Sequence, residues 1–263
     1  MFNNIFLKTI HEKRWTIVFW SIGVIAMCLL MMGFYHSFTD FADALKNLPK
    51  SFQNLIGDTA SLKTVPGYIS QQVFALRIPL LTLIMGIILF TSLLAGDEGD
   101  GTLQTLLAQP VSRLRIYTEK LLAGFVISLV ICSAAILGIL IGLVLIHEHM
   151  GLLRLVQAVI GAWLLVILFG SIGFALGAIT GKRGLAGSVT GLFTFVSYLI
   201  TSFTPNVSGL RTVDKFSPFH YYNNPAITLH GLKGSNVLVM LAVTVTLLTF
   251  AGVVFIKRDI YQK

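Results

Sequence analysis

Residues 96–120, GDEGDGTLQTLLAQPVSRLRIYTEK, gather the side chains best placed to do chemistry. They include Asp97, Glu98, Asp100 and Glu119, four of the chain's 11 carboxylates, and Arg113, Arg115 and Lys120 of its 19 bases. Long apolar runs flank the stretch on both sides. Between acids and bases, Leu103, Leu106 and Leu107 recur at i, i+3 and i+4, the spacing of one helix face. Pro110 ends that short helix, and Ser112 is placed to cap the next. Acids before a helix start complement its dipole. The chemistry this arrangement offers is docking of a soluble partner, not bond making.

Other motifs are weaker. His147-Glu148-His149 has the ligand types of a metal site, but neighbouring positions point in different directions on a helix, and the two-turn HExxH spacing is missing. Gly181-Lys182 resembles the end of a phosphate loop, but no glycine lies five residues earlier and Arg183 replaces the Ser/Thr. Cys28 and Cys132 fall within apolar runs and read as small buried hydrophobes. No catalytic residue, metal site or bound cofactor is expected in this chain.

The elements that must carry the charged stretch are membrane spans. The chain has 263 residues, 55% hydrophobic and 11% charged, with a mean hydropathy of +0.84. A soluble domain carries about 25% charged residues. Six runs, 15–35, 73–95, 121–146, 156–179, 185–203 and 237–256, each reach the ~20 residues that a helix needs to cross a bilayer. Barrel strands would be about 10 residues long and would alternate in polarity. The expectation is an all-α membrane protein with six transmembrane helices, forming a single transmembrane domain over 1–263.

The net charge of +8 sorts by membrane side, so no nucleic-acid partner is expected. With the N-terminus inside, Lys8, Lys13, Arg14, Arg113, Arg115, Lys120, Lys182, Arg183, Lys257, Arg258 and Lys263 lie on the inner side. The other eight bases lie outside or at an outer span end. The positive-inside rule then places both termini in the cytoplasm. Phe2, Ile5, Phe6 and Ile10 make residues 1–14 an amphipathic helix lying in the inner interface.

Segments 36–72 and 204–236 are then extracellular. The first carries Phe38, Phe41, Leu45, Leu48, Phe52, Leu55 and Ile56 at helix-like intervals, which predicts short amphipathic helices capping the bundle. Arg77, at the start of span two, is placed to snorkel outward or to make a local pair. With Phe216, Phe219, Tyr221 and Tyr222 of the second outer segment it forms the set of candidate gate or cargo contacts. Gly170, Gly173, Gly177, Gly181, Gly184, Gly187 and Gly191 recur every three or four residues along spans four and five, a pattern for close helix packing.

Taken together, Glu98, Gly101-Thr102-Leu103, Leu106-Leu107, Pro110-Val111-Ser112-Arg113 and Lys120, between spans two and three of a six-span chain, resemble the signature of ABC-2 type permeases. Phe216-Ser-Pro-Phe-His-Tyr before the last span is also similar to that family. The resemblance covers the whole topology, and the motif itself about 25 residues. It implies the membrane subunit of a bacterial ATP-driven exporter, paired with a second permease subunit, identical or related. Each permease would press a coupling helix into a separate ATPase subunit, two ATPase copies per complex, with ATP and Mg bound there. On that likeness 97–112 is the coupling segment and 102–108 its helix, with Glu98 and Arg113 bracing its ends and Gln104 standing where an acid is often found. Because the spans hold almost no charge, the expected cargo is amphipathic or hydrophobic: a peptide, an antibiotic or a lipid. An ion-coupled secondary transporter would need ionisable groups at mid-membrane, which these spans lack. A sensor or immunity subunit would use the same coupling helix.

Overall fold

A computed structural model describes residues 4–46, 64–108, 110–205, 207–222, 227 and 231–258. The described residues form helices and no strand. In chain order the elements are α1 (Ile5–Glu12), α2 (Arg14–Gly33), α3 (Tyr35–Lys46), α4 (Val65–Gly99), α5 (Thr102–Leu107), α6 (Arg113–Leu145), α7 (Leu152–Thr180), α8 (Arg183–Phe203), α9 (Arg211–Asp214), α10 (Pro218–Tyr222) and α11 (Gly234–Lys257). Six of them, α2, α4, α6, α7, α8 and α11, are long and apolar enough to span a membrane. Of the helices predicted over 36–72, α3 is seen; 47–63 lie outside the described residues.

Two spans run well past their apolar cores. Ser112 caps α6, its hydroxyl accepting from the Arg115 amide at 3.3 Å, so the helix starts a full two turns before Leu121. At 33 residues α6 is ~50 Å long, against a hydrocarbon layer of ~30 Å. Its charged first turns therefore stand clear of the lipid. The second span, α4, contains two π-helical turns, Ile69–Phe74 and Ser92–Gly96. Such turns insert a residue into the helical ladder and cluster at working sites. Arg77 follows the first and makes a local pair, its guanidinium donating to the Gln72 carbonyl and, at 2.7 Å, to Gln72 Oε1. Pro79 sits in the first turn of the regular stretch Arg77–Thr91, where its missing N–H matters least.

The bundle is built around α7, of which 78% of the most apolar window is buried, against 17% for α8 and 22% for α2. It packs on α4 and α11 most extensively, then on α8 and α6, while α2 lies along α6. Glycines make the closest of these contacts. A Cβ on Gly173 would lie 2.9 Å from Thr91 Cγ2, one on Gly177 3.2 Å from Ala95 Cβ, and one on Gly170 would enter the Phe90 ring. Gly138 and Gly142 of α6 do the same for α2, a Cβ on each falling 2.8 Å from Cys28 Cβ and 2.6 Å from Met32 Cβ.

The glycine pattern read as one packing stripe divides at Gly181. Gly184, Gly187 and Gly191 have no atom within 4 Å of an added Cβ. The reason is geometric: α8 lies at the edge of the bundle, and only its Ala186, Thr190 and Ser197 face is buried. A flanking stripe, Leu185, Val189, Leu192 and Val196, is exposed.

Candidate coupling site

The charged stretch is held by ion pairs that the sequence does not show. Asp97 follows the second π turn and pairs with Lys120, whose side chain is only 3% exposed. A lysine that deep needs a counter-charge, because an unpaired buried ion is expensive. Glu98 pairs with Arg258 at the end of the last span. Arg258 also donates to the Ala178 carbonyl at 2.8 Å, and its own carbonyl accepts from Arg113 at 2.6 Å. Arg113 reaches the Ile256 carbonyl as well, at 3.2 Å. Gly181 closes the cluster: its φ is +66°, and a Cβ there would land on the Glu98 carboxylate. Glu98 and Arg113, from either side of α5, thus converge on Arg258, linking α4, α6, α7 and α11.

Gly101 turns the chain into α5 with φ +74°, a left-handed conformation that costs other residues about 1–2 kcal/mol. Within α5, Leu103 is 0% and Leu106 6% exposed, so both face the protein's own core. Thr102, Gln104 and Leu107 are half-buried. Thr105, Ala108 and Pro110 face outward. The leucine stripe therefore holds the short helix to the bundle, and the surface open to a partner is the Thr105 and Ala108 face.

The amphipathic α1 is fixed to the same end. Asn4 caps it, its Oδ1 accepting from the Phe6 amide at 2.8 Å. Glu119 Oε2 accepts from that amide too, at 3.1 Å, and Glu119 Oε1 accepts from Arg115 Nε at 2.6 Å. Losing a cap of this kind costs about 1–2 kcal/mol. Glu119→Ala is expected to speed amide exchange in the first turn of α1 about ten-fold while leaving the α6 amides unchanged; hydrogen exchange of the purified chain reads both.

At the far end, the candidate gate residues divide. Phe216 is 82% exposed, Tyr221 half-buried, and Phe219 and Tyr222 are buried. Tyr222 donates to the Phe74 carbonyl at 3.0 Å, and burial raises its phenol pKa well above the usual value. Asp214 anchors this segment, accepting from Thr201 at 2.7 Å and bonding His220 Nδ1 at 2.6 Å. Ser217 donates to the Ser197 carbonyl at 3.0 Å. A cavity of about 610 Å³ opens beside Asp214, His220 and Lys233. Arg77 does not join this group.

In the sequence Arg258 is one inner-side base among eleven, Glu119 one of the four carboxylates of the charged stretch, and nothing singles out Asp214. Arg258 and Glu119 act through partners distant in sequence, Asp214 through Thr201 and His220 nearby. No group of three or more metal-ligating side chains occurs among the described residues, and His147-Glu148-His149 forms none.

No curated protein matches the chain closely enough to count as a relative. A family model, that of the ABC-2 family transporter protein, matches residues 3–260, nearly the whole chain. This multi-pass membrane protein belongs to the ABC-2 transporter family, whose members are the membrane permease components of ABC transporters and associate with an ABC ATPase.

Proposed function

We propose that this chain is the permease half of an ATP-driven exporter in a bacterial plasma membrane, with both termini cytoplasmic. It pairs with a second permease subunit and moves an amphipathic or hydrophobic cargo outward. The segment 97–112 docks an ATPase subunit, which binds ATP and Mg and performs the hydrolysis. The observation that carries this reading is the convergence of Glu98 and Arg113 on Arg258. A short helix fastened at both flanks to four spans passes a push from a partner directly into the bundle. Two packed arrangements of such an assembly would give alternating access. The exposed α8 stripe and the exposed face of α2 with Trp15, Phe19 and Ile22 are the surfaces assigned to the second permease subunit.

The docking face gives a direct test. Thr105→Arg with Ala108→Arg changes only outward side chains, and surface changes of this kind usually move stability by less than about 0.5 kcal/mol. Co-purification of an ATPase with the full chain in mild detergent is expected for the native protein and to fall about ten-fold or more for the double variant. An unchanged ATPase yield, or none with the native chain, overturns the reading. Leu106 is unsuitable for this purpose, because its side chain belongs to the permease core.

A further inference from the structure

The coupling end carries more cation than its own acids answer. Asp97 is taken by Lys120, Glu98 by Arg258, Glu119 by Arg115 and Glu12 by Lys8. Asp100 is exposed and in no ion pair, and Lys13 and Arg183 are among several bases with no ion-pair partner among the described residues. These two are near each other: Lys13, at the kink between α1 and α2, feels the charges of Asp97, Arg183, Lys120 and Glu12. Burial draws its ammonium pKa below the usual range; Asp97 opposes that shift, and the neighbouring Arg183 and Lys120 add to it.

Arg183 also heads a trough between α4 and α8. A cavity of about 470 Å³ lies beside it, walled by Ile87, Ile88, Gly184 and Gly187. A second, of about 340 Å³, shares Ile87 and continues past Leu83, Ile84 and Phe195 with an almost wholly apolar lining. Uncompensated cations at one end and an apolar trough running away from them are complementary to an amphipath with an anionic head. Basic pockets between spans recognise lipid headgroups in this way.

We propose that the α4–α8 trough binds an anionic phospholipid, its phosphate between Arg183 and Lys13 and one acyl chain along Ile87 and Ile84. The site is distinct from the ATPase-docking face and holds whether or not the chain exports cargo. A phosphate ester there adds to the single negative charge of Asp97, which Lys120 and Lys13 share.

The test uses the full chain purified in a neutral detergent, without an ATPase, so its outcome is separate from the docking result. Phosphatidylglycerol, phosphatidylcholine of equal chain length and inorganic phosphate are titrated in turn. Thermal unfolding and native mass spectrometry are the readouts. Phosphatidylglycerol is expected to bind about ten-fold or more tightly than phosphatidylcholine, and inorganic phosphate to give no shift. Lys13→Gln with Arg183→Gln should bring the two lipids within about two-fold of each other, while Lys182→Gln keeps the preference. Gly187→Leu, which fills the trough at a position with free space and alters no charge, should abolish lipid binding in a folded chain. Equal affinity for the two lipids, or a preference that survives Lys13→Gln with Arg183→Gln, overturns the proposal. Inorganic phosphate binding as well as the lipid assigns the cations to a free anion instead. Loss of a dimer on Gly187→Leu with lipid preference intact assigns the trough to a second copy.

Discussion

Arg258→Gln is expected to lower the thermal stability of the permease by more than any surface charge change, and Glu98→Gln with Arg258→Gln to recover part of the loss. The single change leaves the Glu98 carboxylate against Gly181, without its cation and partly withdrawn from water. Breaking a fully buried pair costs about 3–5 kcal/mol. The two side chains here are 18% and 19% exposed, so solvent reduces this to about 2 kcal/mol. For a chain of this size that is a shift of about 4–8 °C. Neutralising both partners removes the stranded charge, and the cycle should show a coupling of about 1 kcal/mol. The larger effect is on work. The Arg258 side chain also donates to the Ala178 carbonyl, so its loss frees the Glu98 flank of α5 from α7 and α11, while Arg113 keeps its bond to the backbone carbonyl of residue 258. If the chain is the proposed exporter permease, ATP-driven transport by its complex is expected to fall about ten-fold or more while the ATPase still binds. Additive stability losses would show that Glu98 and Arg258 act separately, and undiminished transport would show that the cluster is only a brace.

The clamp also shows where a sequence is legible and where it is not. Span positions follow from composition, because lipid demands about 20 apolar residues in a row, and all six apolar runs overlap spanning helices. The boundaries moved where polar residues extended a helix, as Arg113 to Lys120 do for α6. The leucines of α5 announced an amphipathic helix, but periodicity does not say what the apolar face meets; Leu103 and Leu106 meet their own bundle. Partnerships across the chain leave no local trace. Glu98 and Arg258 are 160 residues apart, and Glu119 and Phe6 113 apart. Nothing near Arg258 distinguishes it from Lys257, which fits the same topological rule. Glycine spacing was visible, yet only the three-dimensional position of α8 reveals that Gly184, Gly187 and Gly191 face open space.

That last division supports the second large prediction. Gly170→Ala should destabilise the bundle by about 1–3 kcal/mol, the usual cost of overpacking a close contact. Gly187→Ala should be neutral or slightly stabilising, because alanine is the better helix former by about 1 kcal/mol. The difference lies in Phe90, a fully buried ring that has nowhere to go. On its α7 side a Cβ at Gly170 would overlap the ring; on its α6 side one at Gly124 would come within 2.9 Å of Phe90 Cε1. Phe125 stands at 5.8 Å, tilted against it. The ring is therefore seated between two glycines from different spans, and shortening it should relieve the substitution. Phe90→Leu alone loses aromatic packing, but in combination with Gly170→Ala the losses should be less than additive by about 1 kcal/mol, read by thermal unfolding in detergent. Fully additive losses would mean that Gly170 matters for its backbone and not for the room it leaves. Compensation would identify Phe90 as the knob that sets the distance between α4 and α7, the two helices that end at Asp97, Glu98 and Gly181. The spacing of the coupling cluster would then depend on a contact several turns away in the membrane, through the shared helices that both sites use.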